Sequence, residues 1–478
     1  MRNSQCAIVN GALAAFAPTR SGIPRIARIS LLKCAALFLA ACSAPSAPPD
    51  IEPAAALKSL GSAAATDSLD APDPPTLSLK DAIGLALRRS PAVHEALAQF
   101  DGAAADARQA RLLPNPTLDL TLRFDRLFAA PDVDAALVAD LVAALTREQR
   151  AGIADERLRA ACLDVVARAL DESDAVRTAY LGAQVAEAAA PLLRDEAQTL
   201  VHLRDASEQR RGAGEASGSD VDALAAEAAA VEDKIRDAER AAKAARLALA
   251  RRIARPESAA AWALDPLAEP LADVGDFGTW TQQAVSRRPE LAATERETAA
   301  LEQEASLIGK PVLGTLNAGP SVEHAAGSTS IGATGSVTLP LFDDGANLRT
   351  AARARVAASR HRAAALRLDV ETDVRSAWID AEAAREQIAR LDADRLPALA
   401  RRVDAVRQAF SAGEATLTES LVTERDFLEA RLRRVELLRD FHGARRRLER
   451  AAGGVDFSVI EPTSRPSDET ASPESHWQ

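Results

Sequence analysis

Residues 410–420 read FSAGEATLTES, and they interrupt a long charge-rich run. From Gly345 to Phe410 the chain contains no proline except Pro397. Glycine reaches the left-handed backbone region without steric cost, so Gly413 can stop a helix there, and Thr416 or Thr418 can cap the next one. Upstream, Val370, Val374, Ala377, Ala381, Ala384, Ile388 and Leu391 recur at alternating spacings of four and three. That is a heptad seam. Downstream, Leu421, Leu428, Leu432, Val435 and Leu438 continue a seam. The stretch is therefore predicted to be the tip of a long antiparallel helical hairpin. Its inbound arm of roughly 65 residues would reach about 100 Å at 1.5 Å per residue.

A near copy, RGAGEASGSD, occupies residues 211–220. Gly214 and Gly413 lie 199 residues apart, and Pro91 and Pro289 lie 198 apart. One offset serving two landmarks predicts an internal duplication of about two hundred residues per copy. Each copy opens with a short helix, a proline after an arginine pair, and a longer helix. Alternating segments follow. In TLDLTLRFD (117–125) the apolar Leu118, Leu120, Leu122 and Phe124 alternate with Asp119, Thr121, Arg123 and Asp125. In SIGATGSVTLPLF (330–342), Ile331, Ala333, Val337 and Leu339 alternate with Gly332, Thr334, Ser336 and Thr338. Period two with one apolar face is the strand signal. AALVADLVAAL (135–145) and VLGTLNAGPSVE (312–323) are the weaker partner strands, one hairpin per copy. Lipid outside and water inside would satisfy both faces of such strands. Asp119, Thr121, Arg123, Thr334, Ser336 and Thr338 would then face the lumen.

Composition fits this reading. Charged residues make up 27 % and aromatics only 3 %, which suits coiled helices better than a compact aromatic core. Residues 1–41 carry Arg2, Arg20, Arg25, Arg28 and Lys33, no acid, and then the apolar run CAALFLAA. This is a secretory signal pattern, too short to span a bilayer. Its removal would deepen the net charge from −11 to −16, which argues against nucleic acid as a partner. With Cys6 and Cys34 lost, only Cys162 accompanies Cys42, so no intrachain disulfide is expected. Residues 42–76 read as a Pro/Ala-rich tether and 454–478 as a polar disordered tail. The intervening copies span 77–275 and 276–453.

The whole pattern resembles the TolC-type outer-membrane efflux family. The resemblance covers about residues 77–453. It rests on VTLPLFDDGANLRTAARARVAASRHRAAA (337–365), on AGEATLTESLVTERDFLEARL (412–432), and on the helix openings RRSPAVHEALAQ and RRPELAATERE. LAAC (39–42) resembles a lipobox, which implies diacylation at Cys42 and a lipoprotein of the outer membrane. LLPNPTL (112–118) is similar to the heavy-metal cation-efflux branch. The resemblance implies a mainly α fold with a small β part, in which each chain gives four strands to a trimeric twelve-stranded barrel. It implies, too, a passive channel of a tripartite efflux or type I secretion system that docks on a periplasmic adaptor and an inner-membrane pump, with no cofactor.

Enzyme signatures are missing: the chain has no GxxxxGK[ST], GxSxG, HExxH or CxxC, and no catalytic role is expected. The six histidines are scattered and Met1 is the sole methionine, so no dedicated metal ligand set is expected. The acids at the tips, Glu414 and Glu419 with Glu215 and Asp220 in the first copy, support two readings. They are solvated helix ends favoured by the helix dipole, or they line an aperture. By resemblance, Glu419 matches the acid and Phe410 the aromatic of the closed periplasmic aperture, while Gly413 and Gly214 mark the two tips. Ala415 and Val422 stand where some members have an arginine and a second acid. A second class of function stays open: a periplasmic coiled-coil lipoprotein acting as a structural or adaptor module.

Overall fold

The computed structural model describes residues 47–53, 76–124, 132–214, 217–258, 262–271, 273–309, 316–325, 328–339 and 341–453. The signal segment, Cys42, most of the tether, residues 125–131, Glu215 and the tail lie outside the described residues. In chain order the first half runs β1 (Thr76–Leu77), α1 (Leu79–Arg89), α2 (Pro91–Ala110), β2 (Thr117–Arg123), β3 (Asp132–Asp140), α3 (Leu141–Leu145), α4 (Arg147–Gly212) and α5 (Gly218–Arg252). The remainder is β4 (Ala263–Leu264), α6 (Phe277–Arg287), α7 (Pro289–Gly309), β5 (Leu316–Ala325), β6 (Ser328–Val337), α8 (Ala346–Arg390), a π turn (Leu391–Arg395), α9 (Leu396–Ser411) and α10 (Leu417–Ala451). The chain divides into two compact units.

One unit contains Arg111–Arg147 and Leu313–Thr338, and with them the four longer strands. They form one antiparallel sheet in the order β2-β3-β5-β6. The predicted strand 135–145 ends early. Asp140 caps α3, its Oδ1 accepting the Ala143 N–H at 3.0 Å, so residues 141–145 turn helical. Gly319 sits where the β3–β5 register is interrupted, between the Ala136–Ser321 and Ala139–Ala318 pairs. A Cβ there would lie 1.7 Å from the Leu137 carbonyl oxygen, which leaves room only for glycine.

The other unit holds the helices. Pro91 and Pro289 are the first residues of α2 and α7, where a missing N–H costs nothing. Ser78 and Asp276 cap α1 and α6 by accepting from Asp81 and Thr279 N–H. The seam read on α8 is buried at every named position, against Leu437, Leu438, Phe441 and Leu448 of α10. On α10 the buried stripe runs through Ala430, Leu437, Phe441, Ala444 and Leu448, while the predicted Leu432 and Val435 are only half-buried. The stripe is shifted because Ala430 and Ala444 let the arms approach where leucine would hold them apart. The inbound arm is helical throughout but passes through the π turn just before Pro397. A proline has no N–H for the regular ladder, and widening the preceding turn accommodates it.

A second core gathers Leu77, Leu87, Val176, Leu249 and Trp262 around Tyr180. The Tyr180 hydroxyl donates to the Leu77 carbonyl at 2.9 Å and accepts from the Asp265 N–H at 3.0 Å. Burial, with the Asp265 carboxylate adding to it, pushes the phenol up to about 12. Between α4 and α10, Arg450–Asp171 (2.6 Å), Arg446–Asp174 and Arg431–Asp195 (2.9 Å) form a ladder that runs in opposite directions along the two helices. Partly exposed pairs of this kind contribute little stability each. Their arrangement fixes which residues of the two hairpins stand side by side.

Among the described residues, no helix is long and apolar enough to cross a membrane, a test that does not bear on strands.

Candidate functional site

The sheet presents two chemically distinct faces. On one, Leu120, Ala135, Val322 and Ile331 align across all four strands, with Leu118 beside Leu137 and Leu316 beside Val337. On the other, Thr121, Asp134, Glu323 and Ser330 align, next to Asp119, Ser321 and Gly332. The predicted lumen residues Asp119, Thr121, Arg123, Thr334 and Ser336 share this polar face, and Thr338 follows the end of β6. Arg123 meets Asp134 at 3.0 Å and Asn317 donates to Ser336 at 3.3 Å. Leu118, Leu120, Leu122, Phe124, Ile331 and Val337 are all exposed. Strands β2 and β6 are the sheet's two edges, with backbone groups unpaired on their outer sides.

The tips turn as their sequences require. Gly413 has φ +82° and Gly214 φ +84°. At the second tip the Gly413 N–H reaches Phe410 O at 3.1 Å and the Glu414 N–H reaches Ala409 O at 2.8 Å. This is the Schellman pair of bonds, which satisfies carbonyls that the helix leaves free. Thr416, not Thr418, caps α10, its Oγ1 accepting from Glu419 N–H at 3.2 Å. At the first tip Asp220 Oδ2 accepts from Ser217 N–H at 3.2 Å, half of a capping box.

The predicted tip residues separate into two environments. Glu414 and Glu419 are exposed at the surface. Phe410 is 4 % exposed and packs with Leu200 and Leu203 of α4 and Leu224 and Val231 of α5. Arg210, which sequence reasoning did not single out, spans the two tips. Its Nη1 donates to Phe410 O at 3.1 Å, and its guanidinium lies 5.1 Å from the Phe410 ring centre. The first tip thus supplies a cation next to the second, although Ala415 offers none.

Behind the second tip lies a charged cluster that was also missed. Glu424 is 2 % exposed, and Arg407 grips it with two bonds of 2.5 and 2.9 Å. A further Arg407 bond reaches Thr199 Oγ1 on α4 at 3.2 Å. Glu196, also on α4, is pushed up to about 7, first by burial and then by the charge of Glu424, with Arg407 opposing. Counting the Ala430 and Leu437 seam back by seven reaches Thr423, so the sequence does place Glu424 beside the buried stripe. Its arginine partner on another helix has no such signal. Among the described residues, no cluster of potential metal ligands occurs.

Residues 280–454 match the family described as outer membrane efflux protein. Comparison with curated protein sequences returns no match. Among solved structures, the outer membrane protein VceC of Vibrio cholerae gives a TM-score of 0.67 at 18 % identity, over 78 % of this chain and 96 % of that one. The Campylobacter jejuni outer membrane channel CmeC gives 0.66 at 14 % identity, over 89 % and 95 %. The open-state Neisseria gonorrhoeae outer membrane channel MtrE gives 0.63 at 18 %, over 78 % and 88 %. At such identities the likeness is one of fold: long helices with a small sheet. The matches are to outer-membrane channel proteins and not to enzymes.

Proposed function

We propose that this chain, whose residues 280–454 match the outer membrane efflux protein family, is the outer-membrane channel of a tripartite exporter. It conducts substrate passively from an inner-membrane pump and its periplasmic adaptor to the outside. Three copies close their sheets into one barrel of twelve strands, β2 of each pairing with β6 of the next. The two hairpins, 77–275 and 276–453, are copies of one ancestral unit and together wall the periplasmic tunnel. Cys42 carries the lipid anchor.

The observation that carries the reading is the two-faced sheet. In water the exposed apolar row is costly and in lipid the polar row is, and a closed barrel in a bilayer satisfies each. Closure would also pair the two edges. The expected outcome is that the protein leaves outer membranes only with detergent and runs as a heat-sensitive trimer. Release of a monomer without detergent would overturn the channel and favour a periplasmic helical module. Replacing Cys42 with Ser should abolish lipid labelling and leave the channel in place.

At the tip, three copies of Glu419 would form a ring of carboxylates around the axis. Such a ring concentrates cations and disfavours anions. In planar bilayers Glu419→Gln should lower cation preference and weaken block by multivalent cations. The control is Glu436→Gln, an exposed residue already paired with Arg433 at 2.8 Å. Identical conductance and selectivity in the two variants would reduce the tip acids to solvated helix ends.

A further inference from the structure

The channel reading leaves one exposed feature unused, at the junction between β6 and α8. Leu339, Leu341 and Phe342 are 60, 75 and 103 % exposed, and Leu348 is 61 % exposed. Leu341 and Phe342 lead into an ordered turn, and Leu348 lies on the first turn of α8. Asp343 Oδ1 accepts the Gly345 N–H and Asp344 Oδ1 the Ala346 N–H, both at 2.9 Å. Beyond the turn the charge pattern changes. From Gly345 to Leu368 the chain carries Arg349, Arg353, Arg355, Arg360, Arg362 and Arg367 and no acid, within a protein of net charge −11.

Acids on α7 neutralise the far end of this run, through Arg360–Glu302 (2.7 Å) and Arg367–Glu295 (3.4 Å). The near end is less committed. Arg349 donates to the Asp344 backbone carbonyl at 2.8 Å and stands 3.8 Å from its carboxylate. Arg353 is exposed and has no ion-pair partner among the described residues. It borders a shallow groove of about 380 Å³ whose apolar floor includes Val356, Ala357 and Ala305. At 1.5 Å per residue, Arg349 and Arg353 lie about 5 and 11 Å along the axis from the start of α8. Exposed apolar side chains followed by cations in the first two turns of α8 match the two zones of a membrane–water boundary.

We propose that this junction binds anionic phospholipid: Leu341 and Phe342 enter the acyl boundary of the leaflet on the helical side, and Arg349 and Arg353 take the headgroup phosphates. The inference rests on the reading that the strands span the membrane. Two observations select lipid as the occupant. The apolar run continues along the chain from the exposed Ile331 and Val337 of β6, and beyond the Asp343–Asp344 turn the charge is cationic as far as Leu368. The first half has the same order, with Leu145 80 % exposed and Arg147 and Arg150 following it.

The test uses the full chain in phosphatidylethanolamine vesicles doped with brominated phosphatidylglycerol or brominated phosphatidylcholine. Fluorescence quenching is read for Phe342→Trp and, as a strand reference, Leu120→Trp, each minus wild type. Both variants should be quenched by both lipids. Phosphatidylglycerol should quench F342W more strongly, reflecting roughly fivefold local enrichment per arginine. Adding Arg349→Gln and Arg353→Gln should abolish that excess without altering L120W. Equal quenching of F342W by the two lipids would overturn the headgroup site. Quenching of L120W with F342W silent would also overturn it, by placing the junction against protein, a second copy included, while the channel stands. Silence at both positions would defeat the channel reading and this inference together.

Discussion

The two helical tips share a turn and differ in almost everything behind it. Gly214 and Gly413 have nearly the same φ, and each is followed by a capped helix. Counting back 199 residues sets Arg211 opposite Phe410, Glu208 opposite Arg407 and Ala225 opposite Glu424. Arg211, Glu208 and Ala225 are exposed, whereas Phe410 and Glu424 are buried. The turn is a local matter of glycine and cap. Burial is decided by packing between hairpins, because the second tip inserts its aromatic among Leu200, Leu203 and Leu224 of the first. One tip is built to receive, the other to enclose.

That contrast is most open to challenge where the buried Glu424 meets the partly exposed Arg407. Arg407→Met leaves Glu424 without its partner at 2 % exposure, and the expected loss is about 4 kcal/mol. Glu208→Gln, its counterpart, should cost under about 0.5 kcal/mol. Denaturant unfolding measures both, and equal losses would erase the asymmetry. Next, Phe410→Ala empties a packed site and should cost about 3 kcal/mol. Arg211→Ala should stay within about 0.5 kcal/mol. If Phe410→Ala is neutral, the ring is not anchoring the tip.

Gly413→Ala and Gly214→Ala sharpen the comparison from the other side. Both force a Cβ into the left-handed region, at about 1–2 kcal/mol each. Here the tips should behave alike, since the turn is what they share. A markedly larger loss at Gly413 would mean that the neighbouring Arg210, 3.7 Å from the added Cβ position, also resists the change.

The last effect depends on pH. The Glu196 carboxyl is raised from 4.5 to about 7 by burial and by Glu424. The folded state therefore holds this proton more tightly than the unfolded chain does. The stabilisation from that proton is complete below pH 4.5 and is lost as pH rises towards about 7. Glu196→Gln removes the charge, so it should melt above wild type at alkaline pH and with it in acid. A pH-independent difference would show that Glu196 does not titrate in this window.

Some of this was legible in the sequence. Val370 to Leu391 was read residue by residue because alternating spacings of four and three identify a face without knowledge of the partner. Gly413 and Thr416 were legible because a glycine turn and a helix cap are local. The strands were legible from period two, except that Asp140 converts the end of one into a helical turn. On α10 the apolar spacing identifies the buried Leu428 and Leu438 but not the alanines that permit close approach. Arg210, Arg407 and Glu196 were not legible. Each acts across hairpins, and no periodicity in one helix reports which charges another helix brings near.

Tyr180 has a consequence of a different kind. It is the only tyrosine in the chain, and its hydroxyl ties Leu77 to Asp265 within one buried core. Its phenol is held up to about 12, against about 10 when free in water. Alkaline absorbance titration of the protein therefore reports on a single atom. While that core is intact, phenolate should be absent at pH values where an exposed tyrosine has ionised. Appearance of phenolate near pH 10 would time the opening of the junction between the first hairpin and the segment that follows it, with no label attached.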